Sequence, residues 1–167
     1  MRRNLFITAL LLLLATLRAH ALDDDRKQPI NLKAARVEIN YKGGVSTYDG
    51  GVELQQGSLS ISATRVVVHS KDNEVTFLEA DGAPVKIRQR PAPNKEETRA
   101  EARHMEYDLK AATLRLTGQA HIWQEGNEFS GETIIYDSQH GSVRARGSEQ
   151  NKERVEVILQ PRKETTP

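Results

Sequence analysis

His104, Glu106 and Asp108 alternate with other residues in the stretch Ala102-Arg103-His104-Met105-Glu106-Tyr107-Asp108. In an extended chain, side chains two positions apart share a face. An imidazole and two carboxylates would then stand side by side, a set able to ligate a metal ion or to relay a proton. Whether they do so depends on the elements that carry them and on what occupies the equivalent positions elsewhere.

From Ile30 to about Leu159 short runs alternate apolar and polar residues with the strand period of two, as in Val37-x-Ile39, Val66-x-Val68, Val85-x-Ile87, Leu114-x-Leu116 and Val155-x-Val157-x-Leu159. No stretch of that region carries a convincing helical period. Turn residues separate the runs at hairpin spacing, among them Lys42-Gly43-Gly44, Lys71-Asp72-Asn73 and Gln139-His140-Gly141. The pattern predicts an all-β chain.

A longer repeat lies above this alternation. Four segments align, AARVEIN from Ala34, ATRVVVH from Ala63, ARHMEYD from Ala102 and GETIIYD from Gly131, with starts separated by 29, 39 and 29 residues, so that two halves recur at an offset of 68. Each copy opens with a small residue and carries apolar side chains at its fourth and sixth positions. Each is followed by a strand ending near glycine, in TYDGG, EADGA, RLTGQ and ARGSE. The extra residues of the middle spacing match Arg90 to Glu101, a proline-bearing, charged stretch expected to form a solvated connection between the halves. The turn at Glu125-Gly126 is expected to be one residue longer than its counterpart in the first half.

The repeat also weighs the possible chemistry. Positions equivalent to His104 hold Arg36, Arg65 and Thr133; those equivalent to Glu106 hold Glu38, Val67 and Ile135; those equivalent to Asp108 hold Asn40, His69 and Asp137. The polar face varies in kind while the opposite face stays apolar, which a half-wet strand explains without catalysis. Glu38, Glu53, Asp108 and Asp137 have no spacing that pairs them, and Ser58, Ser60 and Ser62 lack a nucleophile elbow. His121 and His140 have no partner at ligand spacing, and Trp123 suits either a rim or a buried strand site. No catalytic residue, metal ligand or cofactor site is assigned.

The chain has 167 residues and no cysteine, so no disulfide or thiolate metal site supports it. Residues 1–21, MRRNLFITALLLLLATLRAHA, have the basic start, short apolar core and Ala19-His20-Ala21 cleavage site of a secretory signal peptide. Cleavage there would leave Leu22 first, with 21 basic and 23 acidic side chains, a net charge of −2. Such a surface does not suit nucleic acid. One domain is expected over 22–160, followed by a disordered tail over 161–167.

Gln28-Pro29-Ile30, TYDGGVELQQGSLSISATRVVV, DGAPVKIRQ and ARHMEYDLKAATLRLTGQAHIWQEGNEFSGETIIYD together resemble the LptA (OstA-like) family of periplasmic lipopolysaccharide-transport proteins. The resemblance spans Gln28 to Leu159, and its most specific part runs from Met105 to Ala120. It implies an open, slightly twisted β-jelly roll of about sixteen short antiparallel strands, with two sheets facing across a hydrophobic groove. It implies a non-enzymatic carrier that shields the lipid A acyl chains of lipopolysaccharide. Such a carrier bridges the periplasmic domain of LptC, at the inner membrane, to the N-terminal periplasmic domain of LptD in the LptD–LptE translocon. It also implies head-to-tail self-association, with ATP hydrolysis by LptB as the drive.

Resemblance and inward-face parity together nominate Ile30, Val37, Ile39, Val52, Leu54, Val66, Val68, Ile87, Met105, Tyr107, Leu109, Leu116 and Tyr136 as groove lining. An open jelly roll also leaves unpaired backbone at its ends, suited to strand addition. Ile30, Leu32, Val155, Val157 and Leu159 are the nominated edge residues. An LptC-like bridge component with a retained N-terminal anchor, and a periplasmic adaptor that binds protein edges without lipid, stand as alternatives.

Overall fold

Small residues recur where the strands must bend. The computed structural model describes residues 25, 27–72, 74–90 and 95–161. The expected signal peptide, its cleavage site and nearly all of the expected tail lie outside these residues. Ten strands are present among them: β1 (Asn31–Lys33), β2 (Arg36–Asn40), β3 (Val45–Gln56), β4 (Leu59–Lys71), β5 (Glu74–Gln89), β6 (Thr98–Asp108), β7 (Thr113–Gln124), β8 (Asn127–Asp137), β9 (Ser142–Arg146) and β10 (Glu156–Ile158). All pair antiparallel in one sheet of order β1-β3-β4-β5-β6-β7-β8-β10, with β2 added on β3 and β9 on β8. The sheet does not close, so β1 and β2 form one edge and β9 and β10 the other.

A line of register shifts crosses this sheet, between Asp49 and Val52, Ser62 and Arg65, Asp81 and Val85, Glu101 and His104, and Thr117 and Ala120. The glycines that follow each repeat, Gly50, Gly82, Gly118 and Gly147, and the small residues that open each repeat, Ala34, Ala63, Ala102 and Gly131, all lie on or beside that line. Gly50 and Gly118, 68 residues apart, have φ of 84° and 80°, a region that a Cβ disfavours. At Gly131 a Cβ would come within 2.7 Å of the Arg146 carbonyl oxygen. These bulges bend the strands without ending them.

One hydrogen bond shows how far the sheet folds. The Gln124 amide nitrogen donates to the Tyr136 hydroxyl at 3.3 Å. Yet Tyr136 pairs with Leu114, ten residues from Gln124 along β7. A straight strand would hold those positions about 33 Å apart, so the two ends of β7 face each other. The line of bulges therefore divides one sheet into two facing halves. The first holds β2, β9 and the segments of β3 to β8 that pair between them; the second holds β1, β10 and the remaining segments.

The expected sixteen strands correspond to these pieces: six long strands each bent into two segments, plus the four short ones. Two other expectations need correction. The Arg90 to Glu101 connection is shorter than expected, because Thr98 to Glu101 already pair with Gln89 to Lys86 of β5. The β7–β8 turn is not lengthened either. Gln124 pairs with Asn127 as Gln56 pairs with Leu59, with two residues between in each case. Positive φ at Glu125 (49°) and Gly126 (78°) gives the former the two-residue hairpin twist that matches the strands.

Candidate functional site

Strand register converts the inward positions into rows that are aliphatic or aromatic except at Ser46. In the first half-sheet one row runs Val37, Tyr48, Val66, Ala80, Met105, Leu116, Ile134, Ala145 across eight strands. The next row runs Ile39, Ser46, Val68, Leu78, Tyr107, Leu114, Tyr136, Val143. In the second half-sheet the row is Leu32, Leu54, Ile61, Ile87, Ala100, Ile122, Phe129, Val157. Residues from both halves join one hydrophobic cluster, as two sheets packed face to face require.

Burial along these rows is graded from centre to ends. Met105, Leu116 and Ile134 are at most 1 % exposed, whereas Val37 is 53 %, Ile39 43 % and Val157 46 % exposed. The exposed residues point inward like their buried neighbours, but at the sheet's edges no facing strand covers them. The interior is thus a packed apolar seam with an uncovered apolar mouth at each end.

The nominated lining sorts accordingly. Val52, Leu54, Val66, Met105 and Leu116 belong to the buried cluster, and Val68, Ile87, Tyr107 and Tyr136 pack against it half-buried. Val37 and Ile39 lie at the first mouth. Ile30 precedes β1 and is 52 % exposed. Leu109 follows β6, where its backbone nitrogen donates to the Thr76 carbonyl oxygen at 3.1 Å, and stands in the turn outside the rows. Among the nominated edge residues, Val157 and Leu159 are exposed, Leu32 is packed against the cluster and Val155 is half-buried. Sequence reasoning missed β9 as half of the second edge. The alternation of Val143 and Ala145 was the available signal.

The residues of possible chemistry face outward and are engaged separately. His104 Nδ1 lies 2.7 Å from an Asp81 carboxylate oxygen across the β5–β6 pair. Glu106 forms an ion pair with Arg115 on β7, a carboxylate oxygen lying 3.2 Å from Nε. Asp108 caps the following turn by accepting from the Ala111 backbone nitrogen at 2.8 Å. Among the described residues no group of three or more metal-ligating side chains is placed to hold an ion. Trp123 is half-buried on the outer face, stacked on His121 at 3.9 Å between ring centres and covered by the Arg99 guanidinium at 5.5 Å. Exposed pairs of this kind contribute at most about 1 kcal/mol each.

His140, unpaired by sequence spacing, is partnered with Asp137 in the β8–β9 turn. The Asp137 carboxylate accepts from the His140 backbone nitrogen at 3.0 Å, lies 2.8 Å from His140 Nδ1 and accepts from the Gln139 nitrogen at 3.0 Å. These contacts, the His140 backbone bond foremost, hold its pKa below the ordinary carboxylate range. A carboxylate depressed on folding stabilises the fold at every pH above its unfolded pKa, and that contribution fades as pH falls through the folded value. Asp137→Asn is therefore expected to lower the urea midpoint at neutral pH and to leave it unchanged at a pH below the folded value, as parallel urea titrations would read.

Comparisons with known proteins agree with this architecture. Residues 31–142 match the family model described as "LptA/(LptD N-terminal domain) LPS transport protein". The chain is 36 % identical over 151 residues to the lipopolysaccharide export system protein LptH of Pseudomonas aeruginosa, covering 87 % of this chain and 86 % of that one. It is 32 % identical over 153 residues to LptA of Haemophilus influenzae, covering 90 % and 87 % respectively. The crystal structure of Pseudomonas aeruginosa LptH, described as the LptA homologous periplasmic component of the lipopolysaccharide transport device, superposes with a TM-score of 0.73 at 33 % identity, over 83 % of this chain and 99 % of that one. A bent, open, antiparallel sheet with apolar inward rows, matched over most of its length by these relatives, places the chain in the LptA/LptD N-terminal domain family of LPS transport proteins.

Proposed function

We propose that this chain is a periplasmic carrier of lipopolysaccharide that takes acyl chains between its two half-sheets and hands them on through its ends. One observation carries the reading: the inward rows of the two facing half-sheets enclose a buried apolar seam and reach apolar residues left exposed at the sheet's edges, Val37 and Ile39 at one edge of the first half-sheet and Val157 at the opposite edge of the second. Sequestering an acyl chain is worth about 0.8 kcal/mol per CH₂, so transit through water needs a lining as predominantly apolar as these rows, in which Ser46 is the small polar exception. The lining is the nominated set without Leu109, joined by Leu114, Ile122, Phe129 and Ile134 from the same rows.

The carrier is secreted, with residues 1–21 removed and 22–160 working as one domain. Its two open edges make it a link in a bridge, with LptC on one side, the LptD N-terminal domain on the other, and further copies of itself stacked head to tail. An open sheet offers unlike surfaces at its two ends, which generates linear stacks and not closed pairs. No chemical step is required of it; the outward histidines and carboxylates serve the sheet.

Purified chain is expected to take up lipopolysaccharide added in aqueous buffer, and Val37→Asp with Ile39→Asp to take up several-fold less, measured by co-elution in gel filtration. Absence of uptake by the unmodified chain would overturn the carrier reading. It would favour an adaptor that binds only protein edges.

A further inference from the structure

Beyond the last apolar row of the second half-sheet, the same inward face changes character. The residues two positions further toward the turns are Gln56 and Leu59 on β3 and β4, Gln89 and Thr98 on β5 and β6, and Gln124 and Asn127 on β7 and β8, each couple being a register pair. All six are half-buried. They lie along the side opposite the bend, next to the turns of the second half-sheet. The outward row of the same strand ends carries Arg88, Arg99 and Glu128, so strand ends here do accept charge. The inward lip carries none.

Amides and a hydroxyl in place of charges fit a rim that borders an apolar interior, because a charge there would lose hydration without gaining a partner. Each amide offers both donors and an acceptor, and a threonine hydroxyl does the same. That is the complement of a saccharide, whose hydroxyls both donate and accept and carry no charge. Neither Gln89 nor Thr98 has a side-chain hydrogen-bond partner among the described residues. Among the described residues the Gln124 side chain is engaged only between the half-sheets, through the 3.3 Å bond to Tyr136.

We infer that this lip is a saccharide subsite: Gln89, Thr98 and Gln124 hold the uncharged hydroxyls of a glycolipid's sugar at the groove's side opening while its acyl chains lie in the seam. The inference rests on the carrier reading and adds where the head group sits. It also gives the Gln124–Tyr136 bond a role. The bond closes the side opening in the free chain, and a sugar hydroxyl replaces Tyr136 as the partner of Gln124 when the halves part.

The test compares dodecyl maltoside with dodecyl dimethylamine oxide, which share an alkyl chain and differ in head group, each titrated calorimetrically below its micelle concentration. The unmodified chain should bind the maltoside more tightly. Gln89→Leu with Thr98→Val should weaken maltoside binding about tenfold, as expected for one or two lost hydrogen bonds, and leave amine-oxide binding within about twofold. If the double variant fails to fold by circular dichroism, Gln89→Ala alone should show the same head-group-selective loss. Equal affinity for both detergents, or equal loss for both in the variant, overturns the subsite and leaves the groove standing. Failure of the unmodified chain to bind either overturns the subsite together with the carrier reading.

Discussion

Leu116→Ala should lower the unfolding free energy by about 2–5 kcal/mol, whereas Val37→Ala should cost less than about 1 kcal/mol. The two residues occupy one inward row, linked through five register pairs, and differ in what lies across from them. Leu116 is 0 % exposed between Met105 and Ile134, so shortening it leaves a cavity between the half-sheets. Val37 is 53 % exposed at the edge and leaves none. Urea titrations with unchanged slopes would read the difference as a shift in midpoint for Leu116→Ala alone. Equal costs would mean that the first mouth is covered and that the apolar rows form an ordinary closed core.

End-to-end association should weaken by about 100-fold in Val157→Asp with Leu159→Asp, while the fold is kept. Both side chains stand at the second edge, Val157 at 46 % and Leu159 at 66 % exposure, so neither change disturbs the buried cluster. Burying a valine or leucine side chain at an interface contributes about 1.5–3 kcal/mol, and every 1.4 kcal/mol is tenfold in affinity. β10 pairs on one side only, with β8, leaving its other backbone groups available for strand addition. Sedimentation velocity over a concentration series should show larger species for the unmodified chain and a monomer for the variant. A concentration-independent monomer in both would remove stacking from the account.

Much of this arrangement is legible in the amino-acid sequence. Period-two alternation assigns faces correctly in the long strands, because a one-residue slip would move every side chain to the wrong face. Comparing four repeats turns attention from His104, Glu106 and Asp108 to Met105 and Tyr107, and the strand does set these two groups on opposite faces. The strand count is less legible. A bulge and a turn use the same residues, so Gly50-Gly51 and Gly118-Gln119 read as strand ends when they are bends inside β3 and β7. Leu109 has the right parity for the inward face, yet the chain leaves the sheet at Asp108 and carries it into a turn.

Exposure at Val37 and Ile39 is beyond local pattern. Their sequence matches that of Val66 and Val68, and only the lack of a facing strand at the edge distinguishes them. The hairpin pairs that make the polar lip need register as well as parity, since Gln89 and Thr98 meet across a connection whose length alone does not fix their pairing. Likewise the short β9 shows its alternation only at Val143 and Ala145, among charged neighbours.

The central claim is that the inward face carries lipid and the outward face does not, and adjacent residues on β6 test it most directly. A photoreactive phenylalanine analogue replacing Tyr107, which packs half-buried against the seam, should capture lipopolysaccharide when irradiated in cells. The same analogue at Glu106, which faces outward toward Arg115, should capture none. Capture at Glu106 without capture at Tyr107 would contradict the account.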